Sequence, residues 1–597
     1  MNKKTIITLM LALSALIAQA QKQAHPQKEK PQTALGQVSI TADTALNAQR
    51  KVTAHMTMDG YDGPIGIKLR GNSSLANNQK KYTLELRNDE GKDVEAPLMD
   101  MPAHSDWVLL GPYYDVSTVR DPLAFQLWRD MGHWGPRTRM VELTLNGDYR
   151  GIYILCEAIK RGEERVNIDK MRRTDTSGRE LTGGYLLRID TANDDDATFP
   201  SKVPGVGEGN FTTQVIWSCI YPKKKKSLQP EQLTYIQNYI DTVEQVIQSD
   251  YFADPATGYA RYIDVPSFVD YFIHTELSLN ADGYKRSAYF YKERQQPDGT
   301  GGKLVAGPVW DYNLAYGNAG FANADNPEAW NFEGASNNPT PAMWQRLLQD
   351  PAFRKAVKTR YQALRKNILS DKAIDAYIDR HVALISPSLP RHFETYPELL
   401  VSEDQKQEAR PQNPFGGGGF PGFGGGGGFP NFGGGFPAMP DSLPQNPFGG
   451  GGFPNFGGGF PAMPDSMPQN PFGGGGFPNF GGGFPAMPDS MPQNPFGEGG
   501  FPNFGEGGFP NFGEGGFPGF GGGMGFNPFG AYRVSSYDEE IQILKDWLHN
   551  RLAFLDRNID RFDKDWEPRI QELKETPTPQ FGGFGGGFPG FGGFPGF

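Results

Sequence analysis

The sequence predicts an α+β chain with a sheet-rich first half, a helix-rich second half and a Gly/Phe/Pro repeat near the C-terminus. Short β-like runs bounded by turn residues fill roughly 35–220, and apolar residues at three- and four-residue steps recur from Pro230 onward. Most of the 78 Gly and 50 Pro crowd into two C-terminal stretches. Without those stretches roughly 400 residues of ordinary globular composition remain, enough for one large core or two lobes.

In chain order, Met1–Lys4 carries two lysines, an apolar run spans Thr5–Ala18, and Ala18-Gln19-Ala20 ends it. This is the pattern of a cleavable secretory signal over 1–20, so the expectation is an exported protein, periplasmic, at the cell surface or secreted. No cysteine stands at the cleavage position for a lipid anchor, and no later run of 18 apolar residues predicts a transmembrane segment. Residues 21–35 read as a polar, disordered leader. Strands are expected at Ile65–Leu69, Tyr82–Leu86, Val141–Leu145, Tyr149–Leu155 and Gly184–Ile189, with Asn146-Gly147 as a hairpin turn and a helix around Val119–Met131. Further helices are expected over Leu233–Ile247, Ser267–Leu279, Met343–Leu348 and Ala352–Ile368, with one strand pair, Ser287–Lys292 and Lys303–Asp311, between them.

Over 401–531 a Phe-Pro-Asn-Phe-Gly-Gly-Gly-Phe-Pro-Ala-Met-Pro-Asp-Ser unit recurs, placing Ser442, Ser466 and Ser490 24 residues apart. No aliphatic periodicity survives there, so disorder is expected. It reads either as weak multivalent stickers or as an insertion without specific function. Ser536 and Glu539 then make a capping box, and Ile541, Leu544, Leu548, Leu555 and Ile559 form one helical face, so 532–566 reads as a last helix needing a partner. A Gly/Phe tail closes 567–597. The ordered domain is therefore expected over 36–400.

The net charge of −11 argues against a nucleic-acid partner. No G-x-S-x-G, H-E-x-x-H or G-x-x-x-x-G-K-[ST] is present. Two cysteines, Cys156 and Cys219, allow either one disulfide or two buried thiols and have no zinc-ligand spacing. The chemistry-bearing set is Glu276, Asn280 and Asp282 at a helix end, followed after a hairpin by Trp310-Asp311-Tyr312-Asn313. Two carboxylates with amide oxygens on rigid elements suit a hard cation such as Mg²⁺, the arrangement phosphoryl transfer uses. The plainer alternative makes Asp282 a helix cap and Asp311 a turn residue.

Several segments occur together in one order: Arg70-Gly71-Asn72-Ser73-Ser74, Lys80-Lys81-Tyr82, Asp106-Trp107-Val108-Leu109-Leu110, and Asp115 with Arg120. They continue with Leu145-Asn146-Gly147-Asp148-Tyr149-Arg150-Gly151, Glu157, Gly184–Asp190, Asn280-Ala281-Asp282 and Trp310–Asn313. In that order and spacing the chain resembles the CotH family, spore coat protein H-like atypical protein kinases, over about 36–400 plus the last helix. The resemblance implies a two-lobed kinase-like fold that transfers phosphate from ATP, with Mg²⁺ or Mn²⁺, to serines of exported proteins. It implies Asp311 as metal ligand with Asn280 and Asn313 beside it, and Asp282 as the carboxylate facing the acceptor hydroxyl. It further implies Lys80 and Arg70 at the ATP phosphates and Glu157 as an acidic partner of the lysine or the metal. Two positions depart from the family pattern. Ser287 stands where many relatives have Asn, and Asn313 where they often have a second Asp. These departures give weight to a second reading, a catalytically weak or inactive surface adhesin of the same fold. A flexible tether would also bring Ser442, Ser466 and Ser490 back to their own domain as autophosphorylation sites.

Overall fold

Strand alternation accounts for the first layer. In β2 (Val52–Met58) every second residue is buried, and β1 (Gly36–Thr41), β3 (Tyr61–Arg70), β4 (Lys81–Leu86) and β5 (Asp106–Leu110) also send apolar side chains inward. β6 (Thr138–Leu145) and β7 (Asp148–Glu157) form a hairpin through Asn146 and Gly147, both at positive φ (54° and 86°), as a two-residue turn of the Asn-Gly type requires. The order β1-β2-β3-β4-β5-β7-β6 closes on itself because β1 runs parallel to β6, with Val38 opposite Leu143. The expected antiparallel sheet is thus a closed barrel around Ile65, Ile67, Leu84, Trp107, Leu143 and Leu155. Closure removes the two edges an open sheet would expose. Asn146 reinforces the seam by exchanging side-chain hydrogen bonds with both Ala42 backbone groups, at 2.8 and 3.2 Å.

The computed structural model describes residues 30–191, 196–208, 211–223, 227–335, 338–402 and 530–564. All lie in one unit, 1–426 with 515–597; the other unit, 427–514, falls outside the described residues. The signal-like segment, most of the leader, the repeat with Ser442, Ser466 and Ser490, and the closing tail also lie outside them.

A second sheet has the order β9-β10-β8-β11-β12, antiparallel throughout, from β8 (Tyr185–Ile189), β9 (Ala197–Pro200), β10 (Ile216–Tyr221), β11 (Ala288–Lys292) and β12 (Leu304–Ala306). β8, expected with the first-half strands, pairs instead with β11, Ile189 opposite Ala288. The pairing brings Asp190 alongside Ser287. β12 ends at Ala306, so Asp311 sits in a loop five residues later and not on the expected strand.

Helices α1 (Arg120–Asp130), α2 (Pro230–Gln248) and α3 (Val265–Ser278) pack on this sheet. α3 starts with Asp264 accepting from Ser267 N at 3.0 Å and ends at Leu279, whose φ of 42° stops the helix. α4 (Met343–Gln349), α5 (Pro351–Arg365), α6 (Asp371–Ile385) and α7 (Leu389–Thr395) follow. The last helix, α8 (Tyr537–Ile559), opens with Ser536 Oγ accepting from Glu539 N at 3.2 Å and buries Leu544, Leu548, Leu552 and Leu555 in the same core. No helix among the described residues is long and apolar enough to cross a membrane.

Candidate active site

Two segments carry the predicted aspartates, and both are fixed through their backbones. Asp311 has a φ of 65°, a left-handed conformation that a non-glycine residue holds only where its surroundings enforce it. The enforcement is visible. Its carbonyl accepts from Asn280 Nδ2 at 3.2 Å, and the next N–H, on Tyr312, donates to Asp121 Oδ1 at 2.6 Å. Trp310 stacks on Phe125 of α1 (centroids 5.7 Å apart), while the Arg70 guanidinium covers the indole at 5.1 Å. The Asp311 carboxylate itself stays 45% exposed, with Lys81 Nζ at 3.6 Å.

Asp282 sits in a tight turn after α3. Its carbonyl accepts from Lys285 N and Arg286 N at 3.0 and 2.9 Å, and its own N–H donates to Asn280 Oδ1 at 3.3 Å. Two residues on, the Tyr284 hydroxyl donates to Glu276 Oε1 at 2.9 Å. Asp282 Oδ1 is buried yet accepts no hydrogen bond, and its closest cation, Arg286, is 3.6 Å away. Burial raises the Asp282 pKa; Arg286 and Lys285 oppose that shift and the charge of Asp311 adds to it. The two aspartates are thus near enough to feel each other.

Two further carboxylates share the neighbourhood. Asp190, at the end of β8, is raised by burial and by the charges of Asp311 and Asp282, against the stabilising Arg188. Asp121, in the first turn of α1, is pushed up to about 7 by burial and by Asp311, while Lys81 and the Tyr312 N–H act to lower it. Neither was among the residues expected at the site. Asp121 reads in sequence as an ordinary acidic residue opening a helix before Pro122. Asp190 acquires its position only through the long-range pairing of β8 with β11.

The remaining expected residues divide. Arg70 pairs with Lys81 across β3 and β4, which places both side chains on one face, beside Trp310 and Asp311. Lys80 is not brought there: its ammonium donates to the Leu75 carbonyl at 2.7 Å. Lys80 precedes β4, and the register that sets Lys81 opposite Arg70 hands the site to Lys81. Glu157 is not brought there either, since its fully buried carboxylate is shared by Arg137 (2.8 Å) and Arg165 (2.5 Å). Asn280 is present but serves as a clamp between the two aspartate segments. Asn313 is buried two residues past Asp311, its carbonyl accepting from Asn318 Nδ2 at 2.7 Å. Ser287 adopts a φ of 48° just before β11. Cys156 and Cys219 are free and buried, which settles the disulfide alternative.

Among the described residues, no three His, Cys, Asp or Glu side chains converge closely enough to hold a metal unaided. Asp311 and Asp282 nevertheless suit a hard divalent cation: one carboxylate is half exposed, and the other holds a buried oxygen without a hydrogen bond. Mg²⁺ commonly takes one or two carboxylates and completes its shell with water and phosphate oxygens. A groove lined by Trp128, His133, Arg137, Gly307 and Tyr377 includes none of the four aspartates, so its size does not make it the site.

A family model described as CotH kinase protein matches residues 67–412, more than half of the chain. No curated protein matches it.

Proposed function

We propose that this chain, which belongs to the CotH kinase family by the match over residues 67–412, is an ATP-dependent protein serine kinase. Kinase membership brings ATP, a divalent cation and a protein acceptor as general expectations. The finer reading assigns serines of secreted or surface proteins as acceptors and the barrel and the helical part as the two lobes around the nucleotide. The observation that carries it is the pairing of Asp311, exposed beside Lys81, with Asp282, whose buried Oδ1 lacks a hydrogen bond.

In this reading Asp311, with Asp282 nearby, holds a Mg²⁺ or Mn²⁺ ion, which supplies charge neutralisation for the transferring phosphate. Lys81 and Arg70 offer cationic groups to the nucleotide phosphates from the barrel side. Asp282 accepts the proton of the attacking serine hydroxyl. Its raised pKa makes it a better proton acceptor than an ordinary surface carboxylate, provided it is ionised at the working pH. Asp121 holds the Tyr312 N–H, the charge of Lys81 opposes the rise in its pKa from burial, and in this reading it takes the part the resemblance gave to Glu157. Export and action on Ser442, Ser466 and Ser490 complete the proposal.

The test is transfer of label from γ-³²P-ATP with Mg²⁺ or Mn²⁺ by the wild type and by Asp311→Ala. Transfer by the wild type alone supports the kinase reading. Transfer by neither protein, both folded, favours the adhesin reading that Ser287 and Asn313 suggest.

A further inference from the structure

Helix α8 stands outside the family match, yet two fully buried charge clusters tie it to the two aspartate segments. The first is Arg551, 0% exposed, on Glu276, also 0% exposed. Its Nε donates to the Glu276 carbonyl at 2.7 Å, one Nη donates to Glu276 Oε2 at 3.3 Å, and the other reaches the Pro327 and Ala329 carbonyls. Glu276 in turn accepts from the Tyr284 hydroxyl, inside the turn holding Asp282, and from Asn331 N and Phe332 N, while Asn331 Nδ2 donates to the Asn280 carbonyl at 2.7 Å at the start of that turn. The second cluster is Arg120, which donates to Glu540 of α8 and to Asp115, each at 2.6 Å, and to the Tyr532 hydroxyl at 2.6 Å. Its Nε holds the Ala315 carbonyl at 3.1 Å, four residues past Asp311, and its neighbour in sequence is Asp121.

The clusters meet. Tyr316, next to Ala315 and at a φ of 51°, donates its N–H to the Ser278 carbonyl at 2.7 Å, two residues past Glu276. Leu279, Asp311 and Tyr316 all lie at positive φ, conformations that persist only when their surroundings over-determine them. Buried ion pairs are poor sources of stability, because desolvation offsets most of the attraction. Their evident yield here is geometry.

We propose that Arg551 and Glu540 are positioning residues for phosphoryl transfer, Arg551 acting through Glu276 on the Asp282 turn and Glu540 through Arg120 on the Asp121 and Asp311 segment. The inference rests on the kinase reading above. It divides the effects by step: loosening the Asp282 turn impairs chemistry, and loosening the Asp311 segment impairs Mg·ATP binding.

The experiment uses the full chain with Arg551→Met, Arg551→Lys and Glu540→Gln. The readouts are kcat, KM for Mg·ATP, Tm and hydrogen exchange by mass spectrometry. Arg551→Met is expected to lower kcat on the order of 10–100-fold, the cost of a misplaced reacting group. KM should stay within about twofold, and Arg551→Lys should recover part of the loss. Glu540→Gln is expected to raise KM for Mg·ATP instead. Exchange should rise in 279–287 for Arg551→Met and in 311–318 for Glu540→Gln, with the barrel strands unchanged. Should Arg551→Met not fold, Arg551→Lys carries the same comparison. Unaltered kcat and KM in folded variants, or exchange rising uniformly along the chain, overturns the inference. If the wild type transfers no phosphate, the kinase reading fails on its own, and the exchange pattern still decides whether α8 positions these two segments.

Discussion

Replacing Lys81 with methionine removes the cation facing Asp311, and replacing Lys80 the same way removes a neighbour one residue away that faces Leu75. At 3.6 Å, through an effective dielectric of about 20, the Lys81–Asp311 attraction is about 4–5 kcal/mol before screening. Asp311 is 45% exposed, so solvent and side-chain entropy reduce the net contribution to stability to about 1 kcal/mol or less. The loss in transfer is expected to be far larger, on the order of 10²–10³-fold, because a preorganised cation is lost where phosphate charge is redistributed. Lys80→Met forfeits one hydrogen bond to a carbonyl, about 1 kcal/mol of stability, and should transfer phosphate at nearly the wild-type rate. The assay is steady-state transfer from ATP with KM for Mg·ATP, alongside urea denaturation of all three proteins. An inactive Lys80→Met with an active Lys81→Met refutes the register argument and returns the lysine role to Lys80.

Glu157→Gln should cost about 3–5 kcal/mol by leaving buried Arg137 and Arg165 undercompensated, with KM for Mg·ATP unchanged; denaturation and kinetics on one preparation check both. Buried His274, His381 and His392 are each lowered to about 4 by desolvation, against 6.5 for the ordinary group. The unfolded chain therefore binds these protons first, and their contribution, about 3 kcal/mol each, is complete above pH 6.5 and lost as pH falls towards 4. Glu276, raised to about 7 by burial, acts in the opposite sense, so the check is a difference: His381→Gln should show an acid-side stability slope shallower than wild type by about one proton. Reducing agent should leave Tm unchanged, since Cys156 and Cys219 are separate buried thiols; a fall in Tm on reduction would contradict that assignment.

Local chemistry was readable in the sequence wherever neighbours along the chain decide the outcome. Asn146-Gly147 makes its hairpin, α3 spans Val265–Ser278 against an expected Ser267–Leu279, and α8 begins at the Ser536 cap. Pairings between distant segments were not readable. Barrel closure depends on β1 finding β6 about 100 residues away in a parallel register, for which alternating hydrophobicity carries no signal. The same limit hid the move of β8 to the second sheet, and with it the position of Asp190. At the site, Asp282 was picked from its place at a helix end and Asp311 from its place after an apolar strand and Trp310, and their roles came from the resemblance; the structure links both segments through Asn280. Choosing between Lys80 and Lys81 needs the strand register, and discounting Glu157 needs the knowledge that Arg137 and Arg165 already surround it.

The most direct measurement is single-turnover transfer to a serine-containing protein acceptor by wild type, Asp282→Asn and Asp311→Asn, with Mg·ATP binding followed by calorimetry. The account predicts phosphoserine with the wild type, intact binding without transfer in Asp282→Asn, and loss of Mg²⁺-dependent binding in Asp311→Asn. Wild-type rates of phosphoserine formation in either variant would contradict it.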